Sequence, residues 1–114
     1  MEDFKFDYDK KNDSLFAYLE GSKSNRAIEI GDFVFDLDKS GNLVAMEIMN
    51  ASEILKSVLS KVIELSKIKD FRVEIFNFRN SRTNVRFSIG DGNERETANI
   101  LIPRVTEQSP AISY

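Results

Sequence analysis

The segment from residue 36 to residue 47, DLDKSGNLVAME, spaces oxygen-bearing side chains as a calcium-binding loop does. Four side chains stand at ligand positions of that loop: Asp36, Asp38, Ser40 and Glu47. A calcium loop needs a helix on each side, whereas the flanking segments AIEIGDFVF and LVAMEIM are rich in strand-forming residues. A hairpin explains the same residues, with Asp38 opening a type I turn and Gly41 closing it in the left-handed conformation. We predict the hairpin.

Two pairs of carboxylates are also candidates for a site that binds a different metal. Asp7 and Asp9 share one face of a predicted first strand, and Asp36 and Asp38 share one face of a predicted fourth strand. If those strands are neighbours, the four carboxylates converge and suit Mg²⁺ or Mn²⁺, as in a metal-dependent hydrolase. Turn chemistry at hairpin ends explains the same residues without a metal. We therefore predict no metal and no cofactor.

Glu47 lies between apolar neighbours in the predicted fifth strand. Alternation groups it with Leu43 and Ala45, beside Phe33. If Glu47 is buried, its carboxylate needs a partner, and we then expect a basic side chain or a backbone donor close to it.

The stretch FNFRNSRTNVRF, residues 76–87, alternates aromatic and basic side chains. Its candidate contacts are Phe76, Phe78, Arg79, Arg82 and Arg86. Such a composition is typical of surfaces that stack bases and bind phosphates, so it predicts binding of RNA or single-stranded DNA. An ordinary hairpin with a Phe core and an Arg rim explains it equally, and the chain as a whole is acidic.

Composition excludes several chemistries. The 114 residues contain no Cys, His or Trp, which removes disulfides, thiolate and imidazole catalysis, and the usual zinc sites. Residues 1–50 carry eleven acids and six bases, and residues 51–114 carry eight acids and ten bases. No apolar run is long enough to span a membrane, and the first residues do not resemble a signal peptide. We expect a cytoplasmic protein that is not an enzyme.

Hydrophobic periodicity predicts a single α+β domain over residues 1–114 with a mainly antiparallel sheet. Five strands come first, then one amphipathic helix over 51–67 packed on the sheet, then three strands over 71–103 and a tail over 104–114. Asn50 and Glu53 resemble a capping box at the start of the helix.

Several strands are apolar on both faces, among them LFAYL, FVF and LVAM. One helix is about 10 Å across and covers roughly two strands. Either the two groups of strands stack on each other, or a second subunit covers the remainder. The candidate interface residues are Phe16, Tyr18 and Phe33.

Two blocks carry a family resemblance: YDKKNDSLFAYL, residues 8–19, and FDLDKSGNLVAMEIMNAS, residues 35–52. Over residues 4–55 the chain resembles the prokaryotic domain of unknown function 2283 family, except that Ala45 replaces a usual Gly. The resemblance implies a cytoplasmic prokaryotic protein and supplies no activity.

The sequence thus favours a non-enzymatic protein-interaction module. It would act as a homodimer, or as the acidic half of a complex, like an inhibitor or antitoxin that neutralises a basic partner. Single-stranded nucleic-acid binding through residues 76–87 is the alternative, and a metal-dependent hydrolase is the third hypothesis.

Overall fold

The computed structural model describes residues 1–59, 64–77 and 83–102, and at residues 76, 77, 83 and 102 it describes the backbone alone. The strands are β1 (Glu2–Asp9), β2 (Ser14–Tyr18), β3 (Arg26–Ile30), β4 (Phe33–Leu37), β5 (Leu43–Ile48), β6 (Asp70–Asn77), β7 (Thr83–Gly90) and β8 (Arg95–Ile102). The helices are α1 (Ala51–Val58) and a short 3-10 helix (Leu65–Lys67). The predicted α+β class is confirmed, with five strands, a helix and three strands in chain order. The predicted tail lies outside the described residues.

All eight strands form one antiparallel sheet in the order β3-β4-β5-β2-β1-β6-β7-β8. β1 belongs to both halves of this sheet. Its residues 5–9 pair with β2, whereas residues 2–4 pair with β6. We name β1–β5 the first meander and β6–β8 the second meander.

The sheet folds over so that the inner faces of the two meanders meet. Phe33 of β4 and Phe87 of β7 lie five places apart in the strand order, which is roughly 24 Å in a flat sheet. Their ring centroids are nevertheless only 6.4 Å apart. Phe71 of β6 stacks on Phe87 at 5.7 Å. Of the two arrangements expected for the sheet, the chain adopts the stacked meanders, and Leu55 of α1 joins the same core.

Helix α1 begins at Ala51 as predicted but ends at Val58, not at residue 67. Leu59 is extended, with φ −101° and ψ 145°. The Ser57 hydroxyl donates a hydrogen bond to the Ile54 carbonyl at 2.7 Å, and such bonds compete with the helical ladder. Residues 60–63 lie outside the described ranges. No helix in those ranges is both long enough and apolar enough to cross a membrane.

The N-terminus of α1 is capped from the distant β1–β2 hairpin. The backbone N–H and the hydroxyl of Ser52 donate to the Asp13 carboxylate at 3.0 and 2.6 Å. The Ala51 N–H donates to the Asp13 carbonyl at 2.8 Å. Asn50 is left-handed and makes no side-chain cap, so the predicted Asn50–Glu53 capping box is wrong. A cap from 39 residues away leaves no local signature.

The predicted hairpin between β4 and β5 is confirmed, and with it the reading against a calcium loop. The Gly41 N–H donates to the Asp38 carbonyl at 3.0 Å, and Gly41 has φ +84°. The Asp38 carboxylate accepts the backbone N–H groups of Ser40 and Asn42, each at 2.9 Å. The bond from Asn42 is the main cause of a lowered Asp38 pKa.

Candidate interaction face

The outer face of the first meander points away from the shared core, because side chains alternate along each strand. Strand register places one row of side chains across it: Asp7, Phe16, Glu47, Val34 and Glu29. The neighbouring row is Lys5, Tyr18, Ala45, Asp36 and Ala27. We name these ten residues the acidic face.

Two stacked aromatic side chains on β2 form the apolar part of the acidic face. The rings of Phe16 and Tyr18 lie 5.5 Å apart with an interplanar angle of 22°. Phe16 is 38% exposed, which is unusual for a large apolar side chain, and Tyr18 is half-buried. This pair gives the face an apolar patch that helix α1 does not cover, since α1 packs on the inner side.

The carboxylates of the acidic face are not neutralised by basic side chains. The Ser14 hydroxyl donates to Glu47 at 2.8 Å, and the Ser24 hydroxyl donates to Asp36 at 3.2 Å. Within the described ranges, no Lys or Arg pairs with any of the four carboxylates: Asp7, Glu29, Asp36 and Glu47. The Lys5 ammonium lies 2.9 Å from Glu20, and this hydrogen bond raises the pKa of Lys5.

Glu47 departs from its predicted surroundings. A bulge between β4 and β5 pairs Leu37 with Leu43 and returns Leu43 to the inner core, while Glu47 stays on the outer face with Ala45. Phe33 lies inside, opposite Ile48. The observed partner is a serine hydroxyl and not the expected basic or backbone group.

The structure does not bring the four metal candidates together. β2 and β5 lie between β1, which carries Asp7 and Asp9, and β4, which carries Asp36 and is followed by Asp38. Asp9 instead accepts a hydrogen bond from the Asn12 amide at 2.7 Å, which lowers its pKa. The described part of the chain contains no cluster of three or more His, Cys, Asp or Glu arranged to hold a metal ion.

Two of the three interface candidates lie on the acidic face, namely Phe16 and Tyr18. The third, Phe33, is in the core, 8% exposed, with its ring 5.9 Å from that of Phe35. Phe33 is therefore corrected from an interface residue to a core residue. Its strand is apolar on both sides, and alternation alone could not say which side faces inward.

The nucleic-acid candidates lie mostly outside the described residues. Phe78, Arg79 and Arg82 fall there entirely, and of Phe76 only the backbone in β6 is described. Arg86 is half-buried on β7, and its Nε donates to the Asn99 side chain at 3.1 Å. Nucleic-acid binding by this hairpin stays a prediction.

Sequence reasoning missed the most connected polar group of the first meander, the Asp13 carboxylate. The Tyr8 hydroxyl donates to Asp13 at 2.6 Å, and this bond is the main cause that raises the pKa of Tyr8 to about 12. Hydrogen bonds from Ser52 first and from Tyr8 second lower the pKa of Asp13. The polar run KKNDS indicated a turn there, but nothing local indicated the contact with the helix.

Two known proteins are similar to this chain, one over less than half of it and the other over most of it. An uncharacterized protein of Methanocaldococcus jannaschii is 44% identical over 50 residues, which are 44% of this chain and 43% of that protein. The match thus spans less than half the length of that relative. A Methanosarcina mazei protein named putative hypoxanthine phosphoribosyltransferase is 32% identical over 92 residues, which are 79% of this chain and 72% of that protein.

No solved structure matches the chain. Residues 5–52 match the model of the family described as Protein of unknown function (DUF2283). This segment includes Tyr8, Asp13, Ser52 and all ten residues of the acidic face. The resemblance to the domain of unknown function 2283 family expected from the sequence is thus confirmed over this segment.

Proposed function

We propose that the chain is a non-enzymatic protein-interaction module whose acidic face binds a basic surface on a partner protein. The observation that supports this most is the stacked, partly exposed Phe16–Tyr18 pair among four carboxylates that have no basic partner in the described ranges. Aromatic side chains are frequent energetic anchors of interfaces. Uncompensated carboxylates attract a basic surface and set its orientation.

The charges favour a different protein over a second copy of this chain. A two-fold interface places the same patch on both subunits, so the carboxylates of one acidic face would oppose those of the other. Lys5 offers little compensation, because its ammonium already pairs with Glu20. The proposed role therefore resembles that of an inhibitor that neutralises a basic partner. We further propose that the protein is cytoplasmic, and cell fractionation tests this location.

Phosphoribosyl transfer, suggested by the name of the Methanosarcina mazei relative, is not carried over to this chain. A helix N-terminus is a common site for phosphate groups. In this chain the Asp13 carboxylate occupies the N-terminus of α1, because the backbone N–H of Ser52 already donates to it and is not free to bind a phosphate.

Fluorescence anisotropy with a labelled peptide of alternating Leu and Lys tests the proposal. This probe presents one apolar and one basic face in an extended conformation. We expect it to bind the full chain, and expect Phe16→Ser to weaken binding at least about fivefold, since that is roughly 1 kcal/mol for a lost anchor. Leu101→Ser is the matched control, because Leu101 is 48% exposed on β8 in the second meander.

Three outcomes would contradict the proposal. Equal loss of binding in Phe16→Ser and Leu101→Ser would show that the probe does not use the acidic face. A peptide with Glu in place of Lys that binds as tightly would remove the electrostatic argument. Sedimentation that shows a dimer of the wild-type chain, dissociated by Phe16→Ser, would assign the face to self-association.

A further inference from the structure

A cleft of about 250 Å³ opens on the side of the first meander opposite the acidic face. It lies between the end of β1, helix α1 and the 3-10 helix. Its apolar floor includes Leu55 and Leu65, which are 4% and 8% exposed. Small-molecule sites commonly combine such an apolar floor with a few polar groups at the rim.

Two lysines line this cleft, although the chain has a net charge of −3. Lys10 makes no ion pair within the described ranges, and the Lys56 ammonium is 4.0 Å from Glu53, at the outer limit of an ion pair. Glu64 also lines the cleft, but its carboxylate lies 3.2 Å from the Lys67 ammonium. The Lys10 ammonium is therefore available to an anion, whereas the Lys56 ammonium is also attracted to Glu53 and to the Asp13 carboxylate.

The hydroxyl groups of the wall impose a second requirement on a ligand. Tyr8 and Ser52 line the cleft, and each donates its single hydroxyl proton to Asp13 at 2.6 Å. Their oxygens can then only accept further hydrogen bonds. A ligand that forms hydrogen bonds with these two oxygens must carry a donor of its own. Its anionic group would lie close to the lysines.

We infer that the cleft binds a small organic anion, a carboxylate or a phosphate ester, that has an apolar body and a hydroxyl or amino donor. The volume of about 250 Å³ suits a small organic anion such as a hydroxy acid or an amino acid. The site is separate from the acidic face, so it does not rest on the proposed function.

Titration of the ¹⁵N-labelled full chain with 4-hydroxyphenylacetate tests the inference by NMR. We expect saturable shifts of backbone amides in residues 52–56 and 64–66. The Lys10→Ala/Lys56→Ala double variant should bind at least about tenfold more weakly, and Lys23→Ala, in the loop after β2, should bind as the wild type does. The neutral analogue 4-hydroxyphenylacetamide should bind about tenfold more weakly, because it lacks the charge.

Two further probes test which anionic group the site prefers and whether the ligand needs a hydrogen-bond donor. Tighter binding of phenyl phosphate than of 4-hydroxyphenylacetate at the same amides would assign the site to phosphate esters. Weaker binding of 4-methylphenylacetate would support the donor requirement, and equal binding would overturn it. No saturable shift with any of these anions up to about 20 mM would overturn the site itself. Unchanged binding in the Lys10→Gln/Lys56→Gln double variant, which keeps the size of both side chains, would also overturn it.

Discussion

The outer faces of the two meanders differ in how their charges are compensated. On the second meander, Asp70 lies 3.6 Å from Arg72 and pairs closely with Arg95, which also donates to the Ser88 hydroxyl at 2.8 Å. On the acidic face of the first meander, four carboxylates have no basic partner in the described ranges. The Asp70 carboxylate is thus paired within the fold, whereas the four carboxylates of the acidic face have no such pair in the described ranges.

Packing follows the same division. Around Asp70 the atoms are so close that a Cβ on Gly90 would lie 2.6 Å from the Asp70 Oδ1. That oxygen is buried and accepts no hydrogen bond within the described residues. The acidic face instead presents the Phe16 ring to solvent. Asp70 is thus enclosed within its own meander, whereas an exposed aromatic ring among carboxylates suits recognition.

The largest expected effect separates the inner and outer aromatic residues of the first meander. Phe33→Ser should lower the free energy of unfolding by about 4 kcal/mol, because it opens a cavity in the shared core. Phe16→Ser should lower it by about 1 kcal/mol or less, since Phe16 is partly exposed. Urea denaturation followed by circular dichroism measures both values. Equal losses would mean that the two faces are not distinct.

Asp13, in contrast to the carboxylates of the acidic face, accepts hydrogen bonds that link the first meander to helix α1. Asp13→Ala should lower the free energy of unfolding by about 2–3 kcal/mol, because it removes the helix cap and leaves the Tyr8 and Ser52 donors unpaired. It also places Ala at φ +52°. Asp13→Asn keeps one acceptor and tolerates that conformation, so it should cost about 1 kcal/mol. If Asn costs as much as Ala, the negative charge itself is required.

Neutralising one carboxylate on each outer face compares them directly. Asp70→Asn should lower the free energy of unfolding by about 1 kcal/mol, since it weakens partly exposed pairs with Arg72 and Arg95. Asp7→Asn should change it by less than about 0.5 kcal/mol, because Asp7 has no basic partner in the described ranges. Chemical denaturation at low salt measures both, and a larger loss for Asp7→Asn would reverse the comparison.

The last comparison concerns alkaline pH. The Asp13 hydrogen bond raises the pKa of Tyr8 to about 12, whereas the unfolded chain releases a Tyr proton near pH 10. The folded state is therefore stabilised fully below about pH 10, and this contribution is lost as the pH rises toward 12. Tyr8→Phe should lack this loss of stability between pH 10 and 12 in thermal denaturation. An identical pH dependence in both proteins would contradict the assignment.

Local patterns predicted much of the fold. Alternation and turn residues predicted the eight strands in order, and the Asp38–Gly41 hairpin was recognisable because its hydrogen bonds join residues close in sequence. The start of α1 at Ala51 followed from the change in hydrophobic period. These features depend on contacts within a few residues.

The remaining features depend on contacts that no local pattern contains. The sheet folds over at β1, so Phe33 meets Phe87 and becomes a core residue. The bulge before Leu43 changes which residues share a face with Glu47. On the candidate site, the positions of Phe16 and Tyr18 followed from strand alternation, but the absence of basic partners for the surrounding carboxylates required the strand order.

The central claim is tested most directly by an NMR experiment that locates the bound basic peptide on the folded chain. The ¹⁵N-labelled full chain would be titrated with the alternating Leu and Lys peptide, and amide shifts would be assigned to residues. We expect the largest shifts in residues 14–18, 34–36 and 45–47, reduced by added salt and absent in Phe16→Ser. Largest shifts in β6–β8, or shifts that Phe16→Ser leaves unchanged, would contradict the assignment of the acidic face as the protein-binding surface.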